Sequence, residues 1–368
     1  MKKLLVLFLS LTFVLSLGAC SDSDVDDDPV VDDDPVIVDG VPSSLQGEIN
    51  MVLIKQWGTG THMVTHINGV LAEADRYGIN MSVVDADNDL TAMSDAISTA
   101  VTNQVDAILL SHGTTASLQS AVDEALAAGI PVIAFDVDFT VNEATADAQL
   151  VSLDQNDLMM ALMSMSFLVE ELNGSGDVIY NRLAGITPTD KRHYIWEGAI
   201  LPTYPGINVV ATIDQGTSGV MLAAQTAMEA ALIANSDADA IFAVWDEYAK
   251  GFYNAIVGAD MVIPMYSIDI SDQDLAMMQE HPEIWRASAA VDPTVVGQVQ
   301  VRLALKALAG EDIPRYYSLT PVLIKVDDLP ALSERQISMV ELSEFYDGWG
   351  STTEFLEDWM LIMEENNS

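Results

Sequence analysis

Residues 127–136 read Ala127-Ala128-Gly129-Ile130-Pro131-Val132-Ile133-Ala134-Phe135-Asp136. A helix predicted from Thr115 to Ala128 is closed by Gly129, which can take the left-handed turn that commonly follows a helix end. Pro131 bars continuation of the helix, and Pro131–Phe135 is a short, unbroken apolar run. A run this short, without alternation, predicts a strand covered on both faces, as in the middle of a parallel sheet. Asp136 then stands at the carboxyl end of that strand, where open parallel sheets hold their ligands.

The same unit repeats on either side. Upstream, strands are predicted at Ile49–Ile54, Met81–Val84 and Ala107–Leu110, with helices over Thr61–Tyr77 and Leu90–Asn103. Downstream, helices are predicted at Asn156–Leu172, Lys191–Leu201, Ser218–Ala234 and Glu247–Val257. Strands are predicted there at Asp177–Asn181, Asn208–Ile213, Ala240–Val244 and Val262–Ile268. Strand–helix alternation repeated twice predicts an α/β chain of two doubly wound parallel-sheet lobes. The many methionines of the second half fall at helical spacing, so core packing explains them better than a soft-metal site.

The two ends and the charge narrow the setting. Lys2 and Lys3 precede an apolar run from Leu4 to Leu17, too short to span a bilayer but suited to a signal peptide. It ends in Leu17-Gly18-Ala19-Cys20, which resembles the bacterial lipobox; the resemblance implies cleavage before Cys20 and its lipidation. Cys20 is the sole cysteine, so no disulfide can form within one chain. Residues 20–46 read as an acidic disordered tether, with Asp-Asp-Asp-Pro-Val at 26–30 and again at 32–36. A net charge of −42 argues against nucleic acid and anionic lipid as surface partners. It suits an extracytoplasmic protein in a salty medium that screens self-repulsion.

Several segments together resemble the sugar-binding, ribose- and galactose-binding cluster of type I periplasmic binding proteins. They are Asp85–Asp89, Ala127–Asp136, Asp154, Phe242–Gly251, Ser267–Asp269, Ala289–Pro293 with Gly297, and Pro321–Ile324. The resemblance covers about Glu48 to Asp327. It implies two lobes joined by a three-crossing hinge near Asp154, Val291 and Pro321. Lobe one would be 47–153 plus 292–321, lobe two 154–291 plus 322–330, and 331–368 an extension with a docked helix. It also implies a monomer that captures a small polar ligand, a sugar or polyol, without a cofactor and without altering it. The ligand would pass to an ABC-type permease; a chemoreceptor or sensor kinase reading the closed form is the alternative partner.

Carried over position by position, the resemblance puts Gln56, Gly60, His62 and Met63 at ligand-facing places, with Trp57 in the same loop. Ser111 stands where an asparagine is frequent, and Asp136 and Asp269 match sugar-binding aspartates. Trp245 replaces a ligand-bonding asparagine, and Asp246 is expected to bind ligand or cap the next helix. Val137 replaces the arginine usual in ribose binders, and Val291 a hinge glutamine. Arg192, His193 or Arg182 could supply the second-lobe arginine. The site is therefore expected to be less polar than a ribose site, with Trp57 and Trp245 as stacking walls. Fewer arginines would also suit a cationic or amine ligand.

Enzyme readings find little support. Gly58-x-Gly60 follows a strand, but Met63 stands where a dinucleotide site needs its third glycine. His62, His66 and His112 could approach one another as metal ligands, yet no zincin glutamate accompanies them. Asp85, Asp87 and Asp89 imitate a calcium loop without its glycine or its closing glutamate, so a solvated turn is expected.

Overall fold

A computed structural model describes residues 37–214, 216 and 219–368. The signal segment, Cys20 and the aspartate-rich repeats lie outside the described residues. The first lobe contains β1 (Asn50–Lys55), α1 (Thr61–Arg76), β2 (Asn80–Asp85), α2 (Leu90–Thr102), β3 (Ala107–Ser111), α3 (Thr115–Ala127), β4 (Val132–Phe135) and β5 (Leu150–Asp154). The chain then enters the second lobe through α4 (Asp157–Glu171), β6 (Ser175–Asn181), α5 (Thr187–Ile195), α6 (Leu201–Thr203), β7 (Gly206–Ile213) and α7 (Val220–Ala234). It continues there with β8 (Ala240–Ala243), α8 (Asp246–Gly258), β9 (Met265–Ile268), α9 (Asp272–Glu280) and β10 (Trp285–Ala290). It returns through α10 (Pro293–Leu308) and β11 (Tyr316–Ser318), crosses again to β12 (Val322–Lys325), and ends in α11 (Asp358–Asn367).

Strand order is β11-β5-β4-β3-β1-β2 in one sheet and β12-β10-β9-β8-β6-β7 in the other. The first sheet is parallel throughout; in the second only β12, against β10, is antiparallel. Strands β3, β4, β8 and β9 are buried along their whole length, which is why their sequences are apolar runs without alternation. Helices α1 and α10 meet at two glycines. A Cβ on Gly297 would lie 2.4 Å from the Val70 amide nitrogen, and one on Gly69 2.7 Å from the Thr294 carbonyl oxygen. Met160, Met165 and Met228 are fully buried in the second-lobe core.

Local chemistry shifts some boundaries. Helix α5 starts at Thr187 rather than Lys191, with Pro188 in its first turn, where a missing N–H costs nothing. It runs on through a π-helical turn at Trp196–Ile200. Strand β9 begins at Met265 rather than Val262, because Pro264 has no N–H for the ladder. The predicted tether ends sooner than its composition suggests. Gln46 bonds both ways with Val38 and donates to the Val41 carbonyl, and Leu45 is buried, so residues 38–46 pack onto the protein. The acidic turn at 85–89 is internally bonded: Asp85 accepts from the Asp87 amide, and Asp89 caps α2 through the Thr91 and Ala92 amides.

The carboxyl-terminal segment touches both lobes. Gln279 on α9 donates to the Pro330 and Arg335 carbonyls and accepts from the Ile337 amide, while Asp272 accepts from the Met339 amide. Farther on, Arg302 of α10 donates to the Thr352 and Glu354 carbonyls, and Lys306 pairs with Glu357. Arg76 of α1 pairs with Glu364 of α11 at 2.7 Å.

Candidate functional site

Three central strands end alike. His112 after β3, Asp136 after β4 and Asp269 after β9 have φ of 64°, 57° and 71°. Each keeps the last ladder bond: His112 donates its amide to Phe135 at 2.8 Å, Asp136 to Leu153 at 2.9 Å and Asp269 to Ala289 at 2.9 Å. The ladder is preserved while the chain turns sharply just beyond it. Asp and His tolerate this left-handed region better than most side chains, and strain held in this way clusters at ligand sites.

A cavity of about 160 Å³ lies where these strand tips converge. Trp57, His62, Met63 and His112 line it from the first lobe, and Arg192, Trp245 and Asp269 from the second. The Trp57 ring meets His112 edge-on at 5.2 Å. His62 is stacked over Phe135 at 6.4 Å, and both its ring nitrogens are buried without a hydrogen-bond partner among the described residues.

Arg192 organises the second-lobe wall. Its guanidinium donates to Asp157 at 2.9 Å, Asp269 at 3.0 Å and the Val244 carbonyl at 2.7 Å. Burial opposes its charge, but Asp269 and Asp157 more than offset that and hold it above its ordinary value. The Gln155 amide joins in the orientation its neighbours dictate, donating to Asp269 at 3.3 Å and accepting from Arg192 at 3.1 Å. Beside this cluster Lys191 reaches from the second lobe to Asp154 at 2.8 Å and Asp138 at 3.6 Å in the first.

Asp136 faces this array from the opposite lobe. Both its carboxyl oxygens are buried and lack a hydrogen-bond partner among the described residues. Burial, then the charges of Asp157 and Asp154, push its pKa well above the usual carboxylate range, with Arg192 pulling the other way. His112 Nε2 lies 3.6 Å from it, too far for a hydrogen bond. Burial keeps His112 well below the ordinary imidazole value, helped by His62 and His66. Asp136 therefore sits next to the cavity, beneath His112, with its bonding capacity unused.

Not every residue expected at the site lines the cavity. Gln56 is tied to the Gly113 amide and to Asn88, each at 2.8 Å, and so fixes the loop after β3. Ser111 bonds the His112 ring at 3.0 Å. Val137 is buried in the first-lobe core. Val291 lines a different cavity, at the hinge. Asp246 neither reaches the ligand cavity nor caps its helix: it lies within α8 and pairs with Lys250 at 3.2 Å, beside Asp274. His66 is fully buried and bonds Gln300 at 2.7 Å, and burial lowers its pKa to about 3. Among the described residues no group of three or more His, Cys, Asp or Glu side chains is arranged to hold a metal ion.

Sequence reasoning missed Gln155 and the approach to α5, where the β6–α5 loop adds Leu183 and Ile186 and the first turn of the helix adds Pro188 and Thr189 to the cavity wall. Pro188 at a helix start was the available signal for the loop.

The fold and cavity have clear counterparts. Residues 51–312 match the family described as "Periplasmic binding protein domain". A sugar ABC transporter structure from Yersinia enterocolitica superposes with a TM-score of 0.81 at 28% identity, covering 90% of this chain and 100% of that one. A 5-methylthioribose transporter solute-binding protein from Thermotoga lettingae, solved with 5-methylthioribose, gives a TM-score of 0.79 at 30% identity, covering 86% and 99%. The ribose import binding protein of Bacillus subtilis is 23% identical over 252 residues, 68% of this chain and 78% of its own. With most of its length inside the matched region and two sheet-built lobes meeting at a shared cavity, this chain belongs to the periplasmic binding protein family.

Proposed function

We propose that this protein captures an uncharged sugar of monosaccharide size between its lobes and delivers it unaltered to an ABC-type permease. The observation that carries the reading is the pairing of two walls. Arg192, Asp269 and Gln155 form a buried, mutually bonded wall on one side. On the other, His62 lines the cavity and Asp136 lies just behind it beside His112, both with polar atoms unpartnered among the described residues. Buried polar atoms without partners are costly, and ligand hydroxyls can supply the missing bonds from both sides at once. A ligand that touches both walls favours the closed arrangement by its differential affinity. The sugar-transport relatives support the same reading.

A thermal-shift screen of monosaccharides, polyols and amines tests it. A sugar at about a hundred times its Kd should add about 2.7 kcal/mol of stability and be recovered chemically unchanged. Stabilisation by amines alone, or conversion of the sugar to a product, refutes it. We further propose an extracytoplasmic location with the chain anchored through lipid on Cys20. Cys20→Ser should then move the protein from the membrane fraction to the soluble fraction.

A further inference from the structure

The cavity wall is chemically divided. Arg192, Asp269 and Gln155 form its hydrogen-bonding part, with the unpartnered His62 ring on the facing lobe. The β6–α5 loop presents Leu183 and Ile186, the first turn of α5 adds Pro188, and Met63 comes from the first turn of α1.

The carbonyls of Leu183 and Ile186 are already engaged. The Leu183 carbonyl accepts from the Thr189 hydroxyl at 2.7 Å and also from the Arg182 guanidinium. The Ile186 carbonyl accepts from Thr189 at 3.0 Å and from the Asp190 amide at 2.9 Å. Pro188 has no N–H, and Thr189, the polar side chain of this stretch, directs its hydroxyl hydrogen to those carbonyls. A ligand hydroxyl placed against the Leu183, Ile186 and Pro188 side chains would lose water and meet alkyl groups and carbonyls that already accept two hydrogen bonds each. A methyl or thioether group placed here would gain from burial. Arg192 is already bonded to two carboxylates, so a phosphate on the ligand would meet no unpaired cation there.

We infer that the ligand is a sugar bearing one uncharged apolar substituent, its hydroxyls on Arg192, Asp269 and Gln155 and its substituent against Leu183, Ile186 and Pro188. The inference rests on the sugar reading above and narrows it to a substrate class.

Isothermal titration of the purified full chain with D-ribose, ribose 5-phosphate and 5-deoxy-5-methylthioribose provides the test. The methylthio sugar should bind at least about tenfold more tightly than ribose, a difference that one buried methyl-sized group plus one avoided unpaired hydroxyl readily supplies. Ile186 is only half-buried, so Ile186→Asn should fold. In that variant the preference for the methylthio sugar over ribose should shrink at least about threefold. Equal or tighter binding of ribose or of the phosphate overturns the apolar-substituent inference and leaves sugar capture standing. An unchanged preference in Ile186→Asn overturns the placement of the substituent. Binding of none of the three, with an amine or amino acid binding instead, overturns both readings.

Discussion

Replacing Arg192 by Met keeps much of the side chain's length and removes only its charge and donors. In the native protein that guanidinium, almost wholly buried, holds Asp157 at 2.9 Å, Asp269 at 3.0 Å and the Val244 carbonyl at 2.7 Å. Breaking a buried ion pair from one side costs about 3–5 kcal/mol, because the remaining charge stays buried without its partner. For the roughly 330 described residues the unfolding entropy is about 0.7 kcal/mol/K, so a loss of about 4 kcal/mol lowers Tm by about 6 °C. The loss should depend on pH. Burial already raises the Asp157 pKa despite Arg192, and without the guanidinium that elevation should grow. A carboxyl whose folded pKa exceeds its unfolded value destabilises increasingly as pH rises from the unfolded value, near 4, through the folded one. The deficit of Arg192→Met should therefore be largest at pH 7 and shrink toward pH 4. Denaturant unfolding at several pH values measures it. Arg335→Met, which removes an exposed pair with Glu344, serves as the control and should change stability by less than about 0.5 kcal/mol. A deficit for Arg192→Met equal to that control, or one that grows as pH falls, would refute the argument.

Asp136→Asn should stabilise the ligand-free protein at pH 7 while weakening sugar binding at least about tenfold, since it removes a buried carboxyl with no partner among the described residues but also a charge-capable acceptor. Its folded pKa is raised, so the stabilising difference should vanish as pH falls toward 4; titration calorimetry and thermal melts across pH read both effects. Gly297→Ala should destabilise by about 1–3 kcal/mol, because the added Cβ would meet the backbone of α1 at Gly69 and Val70 rather than a flexible side chain; a melt that matches the native protein would contradict this packing.

The sequence carried the lobes well where burial is total. Val132–Phe135 and Ala240–Ala243 are short apolar strands buried along their whole length, and no helix fits so few residues between a proline or turn and a polar strand end. Strand tips were legible for the same reason: Asp136 and Asp269 each interrupt an apolar run where the ladder ends. The β6–α5 loop was not legible, because Leu183 and Ile186 face a cavity made by two lobes, and apolar residues in a loop look the same whether they pack in a core or wait for a ligand. Gln155 was hidden likewise, as its partners Arg192 and Asp269 are far away in sequence. Asp246 misled in the other direction. Its place at a helix start suggests capping, whereas Lys250, one turn later, draws its side chain along the helix.

The carboxyl-terminal segment is moored at one end to α9 and at the other to α1 and α10. Val340, 82% exposed beside the first mooring, and Asn366, exposed beside the second, are thus fixed to different lobes. Dyes attached at these two positions, outside the cavity and on a single short stretch of chain, would turn ligand-driven movement between the lobes into a change in energy transfer, so the protein carries the attachment points of an optical reporter for its own ligand.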